Sequence, residues 1–357
     1  MLAGVHVVHV TNDFQDNGTG ITNLVRTLAV AQRAAGVEVT VASEVETSAY
    51  HVELAALGVR FVRFDRVAGP LQARRLARLV AAQQPDVVHV HTGRTALAVP
   101  LLGRALRRRS VATVHNVFQR SSALMGACAA VVCISESAHE RFRRMAPWAA
   151  GRVTVIHNAV ELDRTPSADP SAGAAAGPAP LPRRSVVHVG GLHHRKGVDV
   201  LVEAVGRLTE AGDPVELFVY GNRDQPWLEE LAAPLVAAGR VHFEGFTHDP
   251  RAAMRAAGVV AVPSRDEPFG LVAVEARAAG AAVVASDVGG LPEALDGGRA
   301  GMLVPPDDVD AWAAALRSVL DDDALRSDLV RRGGEGLGRF APAAMAAAYA
   351  GVYRSLR

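Results

Sequence analysis

The sequence predicts an α/β fold of two doubly wound parallel-sheet domains, and three observations lead to it. Short β-branched runs alternate with longer segments of helical period through both halves of the chain. Those runs are apolar nearly throughout, which a strand needs only when both of its faces are covered. Covered strands joined by helices form parallel sheets with right-handed crossovers. Finally, 357 residues, 49% of them hydrophobic, suffice for two separate cores.

Taken in order, the first-half strand candidates are Val5 to Val10, Val37 to Val41, Arg60 to Phe64, Val87 to His91, Val111 to His115, Ala130 to Ile134 and Val153 to Ile156. The second half offers Ser185 to Val189, Val215 to Tyr220, Val241 to Phe243, Val259 to Val262, Ala282 to Ala285 and Gly301 to Val304. Between the halves, Asp163 to Pro182 carries Pro166, Pro170, Pro178, Pro180 and Pro182 among alanine, glycine and serine, a composition unable to bury a core. The expected organisation is a first domain over residues 1–162, a linker over 163–182, a second domain over 183–340 and a terminal segment over 341–357. Within that segment Pro342 to Leu356 reads as a helix.

Basic and acidic residues nearly cancel, 38 against 37, which predicts no nucleic-acid partner. The run Arg107-Arg108-Arg109 ends an apolar segment, where cations complement a helix C-terminus. Cys128 and Cys133 fall in an apolar run read as one strand, which sets them on opposite faces, about 16 Å apart and beyond bridging distance. No disulfide framework, cleavable leader or membrane-length apolar run is evident, so a reducing, cytoplasmic address is expected. Peripheral contact with the inner face of a membrane stays compatible with this composition.

Chemistry concentrates around Glu267 and Glu275, eight positions apart. Pro268 pre-sets the backbone for a first helical turn, and Leu271, Val274 and Ala278 supply the apolar period that follows. A helix beginning there leaves the N–H groups of Phe269, Gly270 and Leu271 without intrahelical partners, a positive pole suited to a phosphate. Carboxylates repel phosphate, so the two glutamates are expected to face neutral parts of the same ligand, where they accept from sugar hydroxyls. A diphosphate with a sugar at either end, a nucleotide-sugar, satisfies all three demands.

Ser264 to Glu293, SRDEPFGLVAVEARAAGAAVVASDVGGLPE, closely resembles the donor-binding signature of the retaining glycosyltransferases of family 4. The resemblance implies the GT-B architecture, two Rossmann-like domains facing a cleft with a terminal helix packed back across the first. It implies that Glu267 meets the transferred sugar and Glu275 the ribose. Thr113-Val114-His115 fits the family's Thr-x-His pattern, whose histidine touches the donor sugar. The glycine-rich loop of the first domain, which approaches the donor phosphates and the acceptor, corresponds to Gly18, Thr19 and Gly20. The lysine of the Lys-Gly step, here Lys196, holds the diphosphate, and Gly245-Phe246-Thr247 meets the nucleobase largely through its backbone. Where the family places an arginine soon after the strand, this chain has Gly191; Arg195 is the candidate to restore that charge. The donor-binding set is thus Gly18, Thr19, Gly20, Arg195, Lys196, Phe246, Phe269, Gly270, Leu271 and Glu275, with His115, Lys196 and Glu267 carrying the chemistry.

Competing readings of these segments are weaker. A dinucleotide-binding loop after Val10 fails because Gly18 comes too late for a tight turn and Asn23 stands where a third glycine belongs. His89 and His91, like His193 and His194, lack a carboxylate or cysteine at metal-ligand spacing, which points to structural roles. Asp321-Asp322-Asp323 lies between two helical stretches, where acids favour the start of the next helix. No metal or resident cofactor is therefore expected. The activity implied is transfer of a hexose-type sugar, from a UDP-sugar first, to a small-molecule, lipid-linked or saccharide hydroxyl with retention of configuration. The alternatives are a nucleotide-sugar epimerase and a non-catalytic nucleotide-sugar binding protein of the same fold.

Overall fold

In a computed structural model of the chain, residues 4–14, 20–44, 48–162, 181–222, 225–247 and 249–356 are described. Two compact units emerge, Met1–Glu161 with Gly338–Arg357, and Leu162–Leu337. Residues 163–180 of the expected linker lie outside the described residues.

The first unit is organised by a parallel sheet of β1 (His6–Val10), β2 (Glu38–Ser43), β3 (Arg60–Arg63), β4 (Val87–Val90), β5 (Ser110–Val114), β6 (Ala130–Cys133) and β7 (Val153–Val155). Their spatial order is β3-β2-β1-β4-β5-β6-β7. Every residue of β1, β4 and β5 is buried, as covered strands require. The Gly20–Ala34 helix turns Leu24, Val25, Leu28 and Ala29 into one core, and the Pro342–Ser355 helix adds Met345, Ala346, Tyr349 and Tyr353 to the same cluster. Each leucine, valine or methionine side chain so removed from water is worth roughly 1.5 to 3 kcal/mol, which offsets the cost of ordering the segment. Cys128 departs from the one-strand reading. It caps the turn Arg120–Ala127 ahead of β6, and both cysteines are buried and free.

The second unit repeats the plan with β8 (Ser185–Val189), β9 (Glu216–Tyr220), β10 (Val241–Gly245), β11 (Val259–Val262), β12 (Val283–Ser286) and β13 (Met302–Val304), in the order β10-β9-β8-β11-β12-β13. The Val198–Glu210 and Val309–Asp321 helices cover one face, with Leu201, Val205, Trp312 and Leu316 fully buried. Asp322 caps the next helix, accepting from the N–H of Leu325, as acids between two helices should.

In both sheets the strand order reverses where a strand pairs with one far along the chain, β1 with β4 and β8 with β11. Open parallel sheets bind ligands outside the carboxyl ends of their strands at such reversals. Among the described residues, no helix is long and apolar enough to cross a membrane.

Candidate functional site

In the second unit, the loops leaving β8 and β11 emerge side by side because these strands are paired, Val186 with Val259 and Val187 with Val260. The first loop closes on Gly197, whose φ is +66° and where an added Cβ would sit 2.0 Å from the Pro263 carbonyl oxygen. Only glycine permits that approach. It places Lys196 Nζ 2.5 Å from Glu267 Oε2, an ion pair of largely buried side chains. Ser264 Oγ donates to the same carboxylate oxygen at 3.3 Å.

Arginines brace this junction. Arg195 Nη1 donates to the Asp266 carbonyl at 2.7 Å, and the Arg195 carbonyl accepts from the N–H of Arg265 at 2.8 Å. Arg265 grips both oxygens of Asp199 at 2.8 and 2.6 Å and also donates to the His194 carbonyl at 2.6 Å. A guanidinium suits this task because its fork matches a carboxylate in two places. Sequence reasoning missed Ser264 and Arg265 although both lie in the same motif; their polar type beside Glu267 was the available signal.

The helix after Glu267 begins later than expected. It spans Leu271–Ala278, with Gly270 at its N-cap in a left-handed conformation, φ 103°. Pro268 and Phe269 therefore precede the helix, and the ring of Phe269 is buried, leaving only its backbone to face a ligand. The reason is packing. The turn at Gly289 and Gly290 fits against residues 267–269, where a Cβ on Gly289 would lie 1.9 Å from the Glu267 carbonyl oxygen, and the N–H of Gly290 donates to that oxygen at 2.9 Å. The positive pole moves with the helix, to the N–H groups of Leu271 and Val272, which have no intrahelical acceptor.

Glu275 lies about one turn into that helix. The residue is half-buried, and the protein packed around its carboxylate pushes the pKa up to about 7, with the Arg251 guanidinium pulling the other way. Phe246 follows β10 and is half exposed. His188, missed in the sequence, is buried at the end of β8 with Nδ1 on the Ala261 carbonyl at 3.1 Å; Nε2 has no hydrogen-bond partner among the described residues. Burial lowers its pKa to about 4.

In the first unit, His115 follows β5, buried, with a pKa pushed down to about 3 by desolvation. Its Nε2 meets His91 Nδ1 at 3.1 Å, whereas its Nδ1 has no partner among the described residues. His9, His89 and His91 each present one ring nitrogen within 4.8 Å of the others, a grouping that motif spacing alone did not reveal. Parallel pairing of β1 with β4 sets His9 opposite His89, and the shared Val-His-Val pattern was the legible hint. All six of their ring nitrogens already have hydrogen-bond partners. Gly20 opens the Gly20–Ala34 helix and is exposed, while Gly18 and Thr19 lie outside the described residues.

Sequence comparison agrees with this division. A family model described as Glycosyltransferase Family 4 matches residues 18–164, and one described as Glycosyl transferases group 1 matches residues 183–322. A phosphatidyl-myo-inositol mannosyltransferase of Mycolicibacterium smegmatis is 34% identical over 309 residues, 81% of this chain and 76% of the relative. A glycogen synthase of Mycobacterium tuberculosis is 31% identical over 68% of this chain, and a D-inositol 3-phosphate glycosyltransferase of Corynebacterium efficiens is 38% identical over 49% of it. The chain spans 61% and 43% of those two proteins, less than two thirds of either. Among solved structures, Anabaena Alr3699/HepE in complex with UDP superposes with a TM-score of 0.80 at 20% identity, covering 98% of this chain and 100% of that one. The two parallel-sheet units match the GT-B fold of such structures.

Proposed function

Because this chain belongs to the family 4 glycosyltransferases, we infer that it transfers a hexose-type sugar from a nucleotide diphosphate sugar to a hydroxyl acceptor with retention of anomeric configuration. The observation that carries this reading is the meeting of Lys196 and Glu267 beside the N-terminus of the Leu271–Ala278 helix. A cation and free backbone N–H groups suit a diphosphate, and the carboxylates of Glu267 and Glu275 suit hydroxyls of the sugar and the ribose.

As the bond between the anomeric carbon and the diphosphate breaks, positive charge grows on the sugar and negative charge on the β-phosphate. Lys196, Arg195 and the helix N-terminus stabilise that phosphate, and donors so placed are worth about 3 to 4 kcal/mol each. The departing phosphate oxygen takes the proton of the acceptor hydroxyl as the new glycosidic bond forms on the same face. Glu267 holds the sugar through its hydroxyls and is not the base, and His115 offers a ligand hydroxyl a further acceptor. The reaction so described draws its charge stabilisation from side chains and backbone. UDP-sugars are the first donors to try.

Incubating the protein with isotopically labelled UDP-sugars tests the reading. Free sugar released slowly with retained configuration supports transfer. An epimerised nucleotide-sugar points to an epimerase, and tight binding without turnover points to a binding protein; either result replaces the transferase assignment. A thermal-shift panel of nucleoside diphosphates identifies the base, since a ligand at one hundred times its dissociation constant stabilises by about 2.7 kcal/mol.

A further inference from the structure

A continuous line of buried hydrogen bonds runs through the first unit and ends at His115. Gln32, on the Gly20–Ala34 helix, donates through its amide nitrogen to Tyr353 Oη at 3.1 Å and turns its amide oxygen to His9 Nε2 at 2.8 Å. His9 Nδ1 meets His91 Nε2 at 2.9 Å, and His91 Nδ1 meets His115 Nε2 at 3.1 Å. Each of these side chains is at most 7% exposed.

The direction of every bond follows from the orientation of the Gln32 amide, nitrogen toward Tyr353 and oxygen toward His9. An amide oxygen only accepts, so His9 carries its proton on Nε2. A neutral imidazole with one nitrogen protonated has a bare lone pair on the other, so His9 Nδ1 accepts from His91 Nε2–H. His91 Nδ1 in turn accepts from His115 Nε2–H. Burial lowers the pKa of all three rings, to about 4 for His9, well below the usual value for His91 and to about 3 for His115, so each stays neutral near pH 7. With the same amide orientation Tyr353 Oη accepts from Gln32 and is free to donate to His89 Nδ1 at 2.8 Å, which leaves His89 Nε2–H to donate to Thr113 Oγ1 at 2.7 Å.

We propose that Gln32, His9 and His91 are positioning residues that lock His115 in its Nε2–H tautomer, so that Nδ1 presents a fixed lone pair to a ligand hydroxyl at the carboxyl end of β5. The line leaves one unmatched atom, His115 Nδ1, and a buried acceptor without a donor is unfavourable until a ligand supplies one. Tyr353, on the Pro342–Ser355 helix, anchors the Gln32 amide from the side opposite His9. The identity of the ligand rests on the transferase reading above; the tautomer lock does not.

Nitrogen-15 NMR of imidazole-labelled full-length protein at neutral pH reads each ring nitrogen directly, with His115 assigned by its substitution. The expected result is a pyridine-type Nδ1 and a pyrrole-type Nε2 at His115. Gln32→Met, and separately Tyr353→Phe should Gln32→Met fail to fold, turns this into a mixture and raises the KM for donor about tenfold, with kcat changed less. A UDP-sugar that binds moves the Nδ1 resonance, whereas UDP alone does not. A pyrrole-type Nδ1 in the unaltered protein, or a tautomer indifferent to both substitutions, overturns the lock. A locked tautomer whose Nδ1 ignores every nucleotide-sugar that binds overturns the hydroxyl-acceptor role. Absence of any sugar transfer with the lock intact counts against the transferase reading alone.

Discussion

Lys196 Nζ lies 2.5 Å from Glu267 Oε2 across 71 positions of sequence, with the two side chains only 17% and 12% exposed. If the donor diphosphate binds here as proposed, it competes with Glu267 for this ammonium, and the pair that holds Lys196 in place must yield it. Lys196→Ala is expected to lower kcat about a hundredfold or more and, by leaving Glu267 without its cation, to reduce stability by about 2 kcal/mol. A double-mutant cycle with Glu267→Ala in chemical denaturation should give a coupling of about 1 to 2 kcal/mol that shrinks when UDP is added. Unchanged turnover in Lys196→Ala removes the lysine from the chemistry.

Glu275 supplies a pH dependence with a defined sign. Burial raises its pKa from 4.5 to about 7. Between these values the folded chain binds a proton that the unfolded chain releases. This group therefore favours folding most below the unfolded value, and that contribution is lost as pH rises through about 7. Hydroxyl donors from a ribose favour the ionised form, so donor binding should expel the proton and tighten as pH rises through the same range. Calorimetry in buffers of different ionisation enthalpy detects that proton. Glu275→Gln should abolish its release and flatten the pH profile of donor affinity, and equal proton release in both proteins would assign the effect elsewhere.

The strands were legible because each is a short β-branched run buried on both faces, and every run from Val5 to Val304 became a strand within a residue or two of its expected ends. The partner of each strand was not. Nothing local in Val186 says that it lies beside Val259, since that pairing is decided by crossovers spanning whole helices. The same limit hid the histidine cluster, whose members come from β1 and β4 with Tyr353 arriving from the far end of the chain. The helix start was misplaced by three residues because Pro268 is a local signal, whereas the tight fit of Gly289 and Gly290 against residues 267–269 is a tertiary one. Motif reading named Lys196 for a diphosphate and Glu267 for a sugar; that the two loops bring them into an ion pair was not legible in it.

Gly197 separates conformational strain from close approach. An alanine there must adopt a left-handed φ of +66° and also place its Cβ 2.0 Å from the Pro263 carbonyl oxygen. Gly280 has a similar φ of +79° with nothing within 4 Å of an added Cβ. Gly280→Ala should therefore cost about 1 to 2 kcal/mol, and Gly197→Ala distinctly more, together with most of the activity, because the backbone shift parts Lys196 from Glu267. Denaturation midpoints and donor hydrolysis rates for the two variants measure this. Equal losses of stability would mean that the Pro263 contact is relieved without cost.

Arg277 sets the helix that carries Glu275, and its replacement tests how firmly that helix must be held. The guanidinium is 2% exposed, and it donates to the carbonyls of Gly333 at 2.9 Å, Glu335 at 2.9 Å and Ala294. Three main-chain segments thus converge on one planar fork near the C-terminal end of the helix, where a cation also complements the helix dipole. A lysine carries the same charge but is a single point that cannot reach three carbonyls in those directions. Arg277→Lys leaves at least one buried carbonyl unmatched and strands a strongly hydrated ammonium in the core, at an expected cost of about 3 kcal/mol. Because the site lies at the opposite end of the same helix, the loss should appear as a lower unfolding temperature and a raised KM for donor, with kcat less affected. Retention of full stability in Arg277→Lys would show that the helix is seated by its apolar contacts, Ala273, Val274 and Ala276, without the fork.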